Sequence, residues 1–260
     1  MVVCDRSRIR IYLGEIRVIL SNARGSVPLY TQIKELFIRN ISDGTWSPGD
    51  AIPSEIQLAQ ELGVSQGTVR KAITELVENN VLTRRQGLGT FVAYHDSQRA
   101  LFHFFHIVDD EGHKVLPDST TLSCRRKRAS GVDSSALQLA AGTSVVSIER
   151  IRKFNDRPTM LETITLPSTP FGDLGNVGAC DLPNMLYEMY EKKFGITIHS
   201  ADEQLRAVAA SAHDASLLDL SAGTPLLQIQ RVAMTLDKTP VELRISRCNT
   251  SNHYYQNTIF

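Results

Sequence analysis

The stretch PSEIQLAQELGVSQGTVRKAITELVENNVLTRRQGLGTFV, residues 53–92, decides how the first third of the chain folds. Ser54 is placed to cap a helix, Gln57 three residues on completes a capping box, and Glu55 favours the positive end of the helix dipole. Leu58, Ala59 and Leu62 give that helix an apolar side, and Gly63 stops it. Val64 turns inward and Ser65 caps a second helix, whose buried stripe is Val69, Ala72, Ile73, Leu76 and Val77. Gln66, Gly67, Thr68, Arg70 and Lys71 are left on the outward face of its first turns. Two short capped helices joined through a tight glycine turn form a helix-turn-helix. In such a motif the N-terminal residues of the second helix reach base edges in the major groove.

The residue types suit that task. Gln66 matches an adenine edge and Arg70 a guanine edge or a phosphate. Thr68 and the amides around Gly67 suit phosphate. Downstream, two strand-like runs flank Gln86-Gly87-Leu88-Gly89, a hairpin whose glycines allow close approach to a sugar-phosphate backbone. The expected DNA-contact set is therefore Ser54 and Glu55 at the first helix start, Ser65, Gln66, Gly67, Thr68, Arg70 and Lys71 at the second, and Arg85, Gln86, Gly87, Gly89 and Thr90 in the wing. Residues 28–95 carry six basic and seven acidic side chains, a sum of −1. Four of the six cations (Arg70, Lys71, Arg84, Arg85) lie in the second helix and the wing. The electrostatic attraction is thus local and modest, and binding leans on two domains sharing one duplex.

Upstream, Leu29, Ile33, Phe37 and Ile41 recur at helical spacing until Gly44, and Trp46 to Asp50 reads as a turn. The whole chain has 260 residues and no net charge. Its composition is that of a globular protein, and no apolar run is long enough for a membrane helix. Four scattered cysteines and the absence of an export signal lead to a cytoplasmic expectation. The reading divides the chain into an N-terminal extension (1–26), a winged helix-turn-helix (27–93), a polar linker (94–101) and a second domain (102–260).

That second domain holds an internal repeat. SSALQLAAGTSVVSIERIRKF (134–154) resembles ASLLDLSAGTPLLQIQRVAMT (215–235). Each copy reads as a short helix, an Ala-Gly-Thr turn and a strand. Each then passes a turn before Pro158 or Pro240 into a returning strand. Two such hairpins predict a pseudo-symmetric antiparallel sheet with helices on one side. A third helix, about Pro183 to Lys193, carries Met185, Leu186, Met189 and Tyr190 on one face. The fold class is α+β.

From Pro28-Leu29-Tyr30 through Pro53-Ser54-Glu55, Gly63-Val64-Ser65, Thr68-Val69-Arg70 and Gly87-Leu88-Gly89-Thr90-Phe91-Val92, the chain resembles the winged-helix domain of the GntR family of bacterial regulators. The second domain resembles the UTRA effector-binding domain of the HutC subfamily, with its chorismate-lyase-like fold. The matching pieces are Glu149-Arg150-Ile151-Arg152, Glu162, Leu186-Tyr187-Glu188 and Pro240-Val241-Glu242. The resemblance implies a homodimeric regulator, usually a repressor, that binds a pseudo-palindromic DNA operator and answers to a small-molecule effector. Ile56 and Gln66 stand where the family often has Arg, so the preferred operator differs from the usual one.

The resemblance also names an effector site: Arg150 and Arg152 to grip an anion, Glu162 and Glu242 to hold hydroxyls, and Tyr187 beside them. Arg150 and Arg152 alternate with Ile151 and so share a sheet face. Met185 and Cys248 replace polar residues of sugar-phosphate-binding relatives. An organic acid, an amino-acid derivative and a phosphorylated metabolite all stay open. No cofactor is expected. No nucleophile motif or phosphate loop supports an enzyme, although a sheet that turns over a small acid and an architectural DNA binder are the competing readings. His103 and His106 point oppositely on a strand and argue against a metal.

Overall fold

The computed structural model describes residues 27–93, 104–114, 116–176 and 182–257. The N-terminal extension, the linker and His103 lie outside the described residues. The chain forms two compact units that divide after His95.

In the first unit α1 (Leu29–Ser42) is followed by α2 (Glu55–Leu62), α3 (Gln66–Glu78) and a hairpin of β1 (Leu82–Arg85) and β2 (Gly89–Val92). The helix starts match the sequence signals. Ser54 and Gln57 form a reciprocal capping box, and Ser65 accepts the Thr68 amide. Gly63 ends α2 in the left-handed conformation at φ 66°, which a side chain would strain. Ile33 and Phe37 of α1, Leu58 and Leu62 of α2, and Val69, Ala72, Ile73 and Leu76 of α3 are buried together. The Trp46 ring meets Phe37 edge-on at 5.1 Å. The turn at 46–50 does more than reverse the chain. Gly49 and Ile52 donate to the Val92 and Thr90 carbonyls, and Val92 donates to Asp50. The run 49–52 thus lies alongside β2, with an isolated bridge between Ala51 and Phe91, and ties the wing to the helices.

In the second unit a sheet of six antiparallel strands has the order β4-β5-β6-β9-β8-β7. Its strands are β4 (Asp118–Arg128), β5 (Ser144–Phe154), β6 (Arg157–Pro167), β7 (Ser200–Ala209), β8 (Pro225–Met234) and β9 (Pro240–Cys248). A separate pair joins β3 (Ile107–Asp109) to β10 (His253–Tyr255). The helices are α4 (Gly131–Ala136), α5 (Leu186–Phe194) and α6 (Ala212–Leu218), with short helical turns over Ser168–Phe171 and Gly172–Asn176.

The repeat is realised in detail and extends further than the quoted segments. Ser130 and Asp133 form a capping box at α4, and Ser211 and Asp214 form the same box at α6. Thr143 and Thr224 each return a hydroxyl bond of 2.7 Å to a carbonyl three residues back. Strands β4 and β7 precede the two boxes, so they belong to the repeat as well. Counting five residues on from the equivalent Pro158 and Pro240 reaches Thr163 and Ile245, which face each other across β6 and β9. The pseudo-twofold axis passes through that pair.

Helices cover both faces of the sheet, not one. Val146, Ile148, Ile164 and Leu166 pack against Leu186 and Tyr190 of α5. Ile151 and Leu161, which point the other way, pack against Leu218 of α6. Burial on both sides explains why β5 and β6 read as near-continuous apolar runs. Truncating Ile73→Ala in the first unit is expected to cost about 2–5 kcal/mol by opening a cavity. Hydrogen exchange should show the lost protection within residues 27–93 while β5, β6 and β9 keep theirs; equal loss in both units would contradict their separation.

Candidate functional site

Two surfaces carry the chemistry, one in each unit. In the first unit Glu55 organises the face around α3. Its carboxylate accepts from Arg70 Nε at 2.9 Å, from Gln66 Nε2 at 3.4 Å and from Arg84 Nη2 at 3.4 Å. Arg84 also donates to Thr74 at 3.0 Å. One acidic side chain at the start of α2 thereby fixes two residues of α3 and one of β1. Exposed ion pairs of this kind add little stability, so the effect is to aim the cations. Arg70 is 61% exposed and uses Nε for Glu55, which leaves its terminal nitrogens available to donate.

The remaining expected residues lie on exposed or half-buried positions of the same unit. Ser54, Ser65 and Thr68 are engaged in the helix caps, with Ser65 and Thr68 hydroxyls 2.8 Å apart. Lys71 lies over the Tyr30 ring at 3.7 Å, and Arg85 over Phe91 at 4.6 Å. Both cations are steadied by aromatic faces while their charges stay at the surface. Gln86, Gly87 and Leu88 form the wing tip, with Gly87 and Gly89 at φ 73° and 119°. Leu88 is 73% exposed there. Arg84 was absent from the expected contact set. Its place opposite Thr90 in the hairpin brings it beside Arg70.

In the second unit a cleft partly open to solvent is lined by Phe104, Phe105, Asn184, Met185, Leu186, Tyr187 and Glu188 together with Arg150, Arg152, Arg231 and Arg244. Beneath it lies a buried ionic network. Glu162 accepts from Arg150 Nη2 at 2.6 Å and Nε at 3.2 Å, and from Arg244 Nη1 at 3.2 Å. Arg152 Nη1 is 3.7 Å from the same carboxylate. Glu242 accepts from Arg244 twice at 2.9 Å, from Tyr187 at 2.9 Å and from Tyr190 at 2.8 Å. Arg231 is held by Glu203 at 2.6 Å and donates to the Phe104 carbonyl.

All five expected effector residues therefore gather in and under one cleft, but the two carboxylates are not free. Protein donors fill the acceptor positions of Glu162 and Glu242 that ligand hydroxyls were expected to use. The sequence reading also missed Arg231, Arg244 and Tyr190. The repeat carried a signal for one of them, because Arg231 occupies the position of Arg150 in the second copy.

Burial pushes the Glu162 carboxyl up, but Arg150, Arg244 and Arg152 outweigh it and hold the group well below the usual carboxylate range. Burial, with Arg150 and Arg244 adding to it, brings Arg152 down to about 10 despite the nearby Glu162. Tyr187 is pushed up to about 12 by burial and by Glu242. The buried network holds four guanidinium groups and three carboxylates, and Glu188 adds a fourth carboxylate on the cleft wall. Arg152 is the least satisfied: it is 4% exposed, one terminal nitrogen reaches the Pro117 carbonyl at 3.3 Å, and its Nε has no partner among the described residues. The Asn184 carbonyl oxygen beside it is also buried without a donor among them. No group of three metal-ligating side chains occurs among the described residues, and no helix among them is long and apolar enough to cross a membrane.

The depressed pKa of Glu162 fixes the sign of an acid effect. Its contribution to stability is complete above the unfolded carboxyl value of about 4.3 and declines as pH falls below that toward the folded value. Glu162→Gln should cost about 3–5 kcal/mol at pH 7 by leaving guanidinium groups buried without a counter-charge. It should also flatten the fall in stability seen by urea denaturation between about pH 5 and 3; a slope equal to the parent's would contradict this assignment.

Residues 29–92 match the family model of the gntR-family bacterial regulatory proteins, and residues 112–254 match the UTRA domain model. The chain is 28% identical to the HTH-type transcriptional repressor NagR of Bacillus subtilis over 85% of its length and 90% of the relative's. It is 28% identical to the histidine utilization repressor of Pseudomonas aeruginosa, over 87% of this chain and 86% of that one. An HTH-type transcriptional regulator of Mycobacterium tuberculosis is 31% identical over 91% of this chain and 88% of its own. Among solved structures, the ligand-binding domain of a GntR-family regulator from Bordetella bronchiseptica shares 37% identity at a TM-score of 0.54, covering 60% of this chain and 98% of that one. These relatives are regulators of transcription and not enzymes. With a gntR-type helix-turn-helix followed by a UTRA domain, the chain belongs to the GntR family of bacterial transcription regulators, in its HutC-type arrangement.

Proposed function

We propose that the protein is a repressor that binds a pseudo-palindromic operator as a homodimer in the cytoplasm and is controlled by a small anionic effector in the UTRA cleft. The start of α3 enters the major groove, where Gln66 and Arg70 select bases and Thr68 and the Gly67 amide meet phosphate. The wing, with Arg84, Arg85, Gln86, Gly87, Gly89 and Thr90, follows the adjoining backbone. Ser54, Glu55, Ser65 and Lys71 complete the surface; Glu55 acts by aiming Arg70 and Arg84.

The observation that carries the effector reading is Arg152: a buried guanidinium on the cleft wall whose Nε has no partner among the described residues. An anion there would satisfy a donor that none of those residues satisfies. Glu162 and Glu242 act as positioning residues, since their oxygens already hold Arg150, Arg244 and the two tyrosines. Phe104, Phe105 and Met185 offer apolar and aromatic surface, with Asn184 and Glu188 as the polar groups beside them. A compact carboxylate with a flat apolar body fits these walls better than a polyhydroxylated sugar phosphate. Regulation then follows from linkage: an effector held more tightly by one arrangement of the dimer shifts operator affinity.

Thermal shift with a panel of small carboxylates and phosphate esters tests the reading, because a ligand of the folded state raises the melting temperature. For the best compound, Arg152→Ala should weaken binding about ten- to a hundredfold, the loss of one charge-assisted hydrogen bond. Equal affinity of variant and parent in a calorimetric titration would remove Arg152 from the site. On the DNA side, Gln66→Ala should change the relative affinities for operator variants in fluorescence anisotropy. A uniform loss across all variants would assign Gln66 to the backbone instead.

A further inference from the structure

Arg152 Nε is not the one atom in its neighbourhood without a hydrogen-bond partner among the described residues. Ser119 Oγ and Asn184 Oδ1 are buried in the same condition. Ser119 of β4 stands directly opposite Arg152 of β5, so the two side chains share the cleft face of the sheet. Asn184 is tied to Arg152 through a single acceptor: the Pro117 carbonyl receives Asn184 Nδ2 at 3.0 Å and Arg152 Nη2 at 3.3 Å. Arg150 Nη1 pins the same stretch by donating to the Asn184 and Pro183 carbonyls at 3.3 Å and 3.5 Å. Arg152 and Asn184 both line the cleft.

The three atoms differ in sense. Arg152 Nε can only donate, Asn184 Oδ1 can only accept, and the Ser119 hydroxyl does either. The orientation of the Asn184 amide follows from its neighbour: a carbonyl only accepts, so the amide nitrogen must face Pro117 and the oxygen is left over. A bare carboxylate answers Arg152 Nε but brings a further acceptor toward Asn184 Oδ1, which stays unpaired and weakens binding. A donor on the carbon next to the carboxylate answers both atoms. Glu188, also on the wall, adds an acceptor and no donor. A site with buried polar atoms of this kind rejects the analogue that lacks the matching group, because its own atoms then stay unpaired.

We propose that the cleft takes a carboxylic acid with a hydroxyl or amino group on the carbon next to the carboxylate. The carboxylate meets Arg152 Nε, the neighbouring O–H or N–H donates to Asn184 Oδ1, and Ser119 Oγ takes the bond that remains. The inference rests on the anionic-effector reading and narrows its chemical class. Ser119 and Asn184 become specificity-determining residues, although neither stood out in the sequence. Carboxylate, donor and apolar body fix three directions about one carbon, so the cleft also selects one enantiomer.

Calorimetric titration of the full chain with matched probes tests this. Phenylpropanoate lacks the donor, the two enantiomers of phenyllactate carry a hydroxyl, and phenylalanine carries an ammonium. In the parent, one phenyllactate enantiomer or phenylalanine should bind about tenfold or more tightly than phenylpropanoate. Asn184→Ala should bring that ratio to within about twofold of unity while phenylpropanoate keeps its affinity to within about threefold, a pattern that a merely loosened cleft would not give. Ser119→Ala should lower the ratio by a smaller factor. The comparison in the parent stands even where a variant fails to fold. Equal affinities for all the probes in the parent, weakened alike by Arg152→Ala, would overturn the donor inference and leave the anion reading standing. A ratio that survives both Asn184→Ala and Ser119→Ala would overturn their assignment. Binding of none of the probes would overturn the anion reading and this inference together.

Discussion

The ion pair between Glu162 and the guanidinium groups around it is the constraint on which the second unit depends. Glu162 lies on β6, Arg150 and Arg152 on β5, and Arg244 on β9. Arg244 then fixes Glu242, and Glu242 fixes Tyr187 and Tyr190 of α5. One buried carboxylate thus links three strands to the helix that closes the cleft. Such networks are weak as sources of net stability, because desolvation offsets most of the attraction. Their effect here is positional: they hold cationic donors in place before any ligand arrives. Arg152 Nε is left without a partner among the described residues, and it is the donor that the proposed anion would take.

The internal repeat explains how a near-symmetric backbone makes a single site. Caps, turns and strands repeat across the Thr163–Ile245 axis. The chemistry does not. Arg150 has a counterpart in Arg231, but Arg152 corresponds to Ala233, Met160 to Glu242 and Glu162 to Arg244. Ion pairs form within each half, Arg150 with Glu162 in the first and Arg244 with Glu242 and Arg231 with Glu203 in the second, and the Arg244–Glu162 pair joins the two. Helix α5, with Phe171 and Leu174 of the helical turns at 168–176, covers one face and completes the asymmetry.

Much of this was legible in the residues. Ser54, Gln57, Gly63 and Ser65 announced the helix-turn-helix because caps are local signals that tertiary contacts seldom override. The Ala-Gly-Thr turns and paired prolines announced the repeated hairpins for the same reason. What stayed hidden was pairing at a distance. Ser47-Pro48-Gly49 read as a turn, yet only the hydrogen bonds to β2 show that residues 49–52 run alongside it. Alternation put Arg150 and Arg152 on one face, but it could not say that Arg244, remote in sequence, fills the acceptors of both Glu162 and Glu242. The placement of helices on both faces escaped because the odd-numbered Ile151 and Leu161 looked like ordinary sheet residues until α6 was seen over them. Arg84 counted only as one of the wing's cations until Glu55 brought it beside Arg70.

The central claim is that an anion in the arginine cleft and DNA on α3 are linked through one molecule. The most direct measurement is the affinity of the full chain for its selected operator duplex at rising concentrations of the carboxylate that most stabilises it. The account predicts a change of about tenfold or more that saturates near that compound's own dissociation constant. Operator affinity that stays constant through saturation would contradict it.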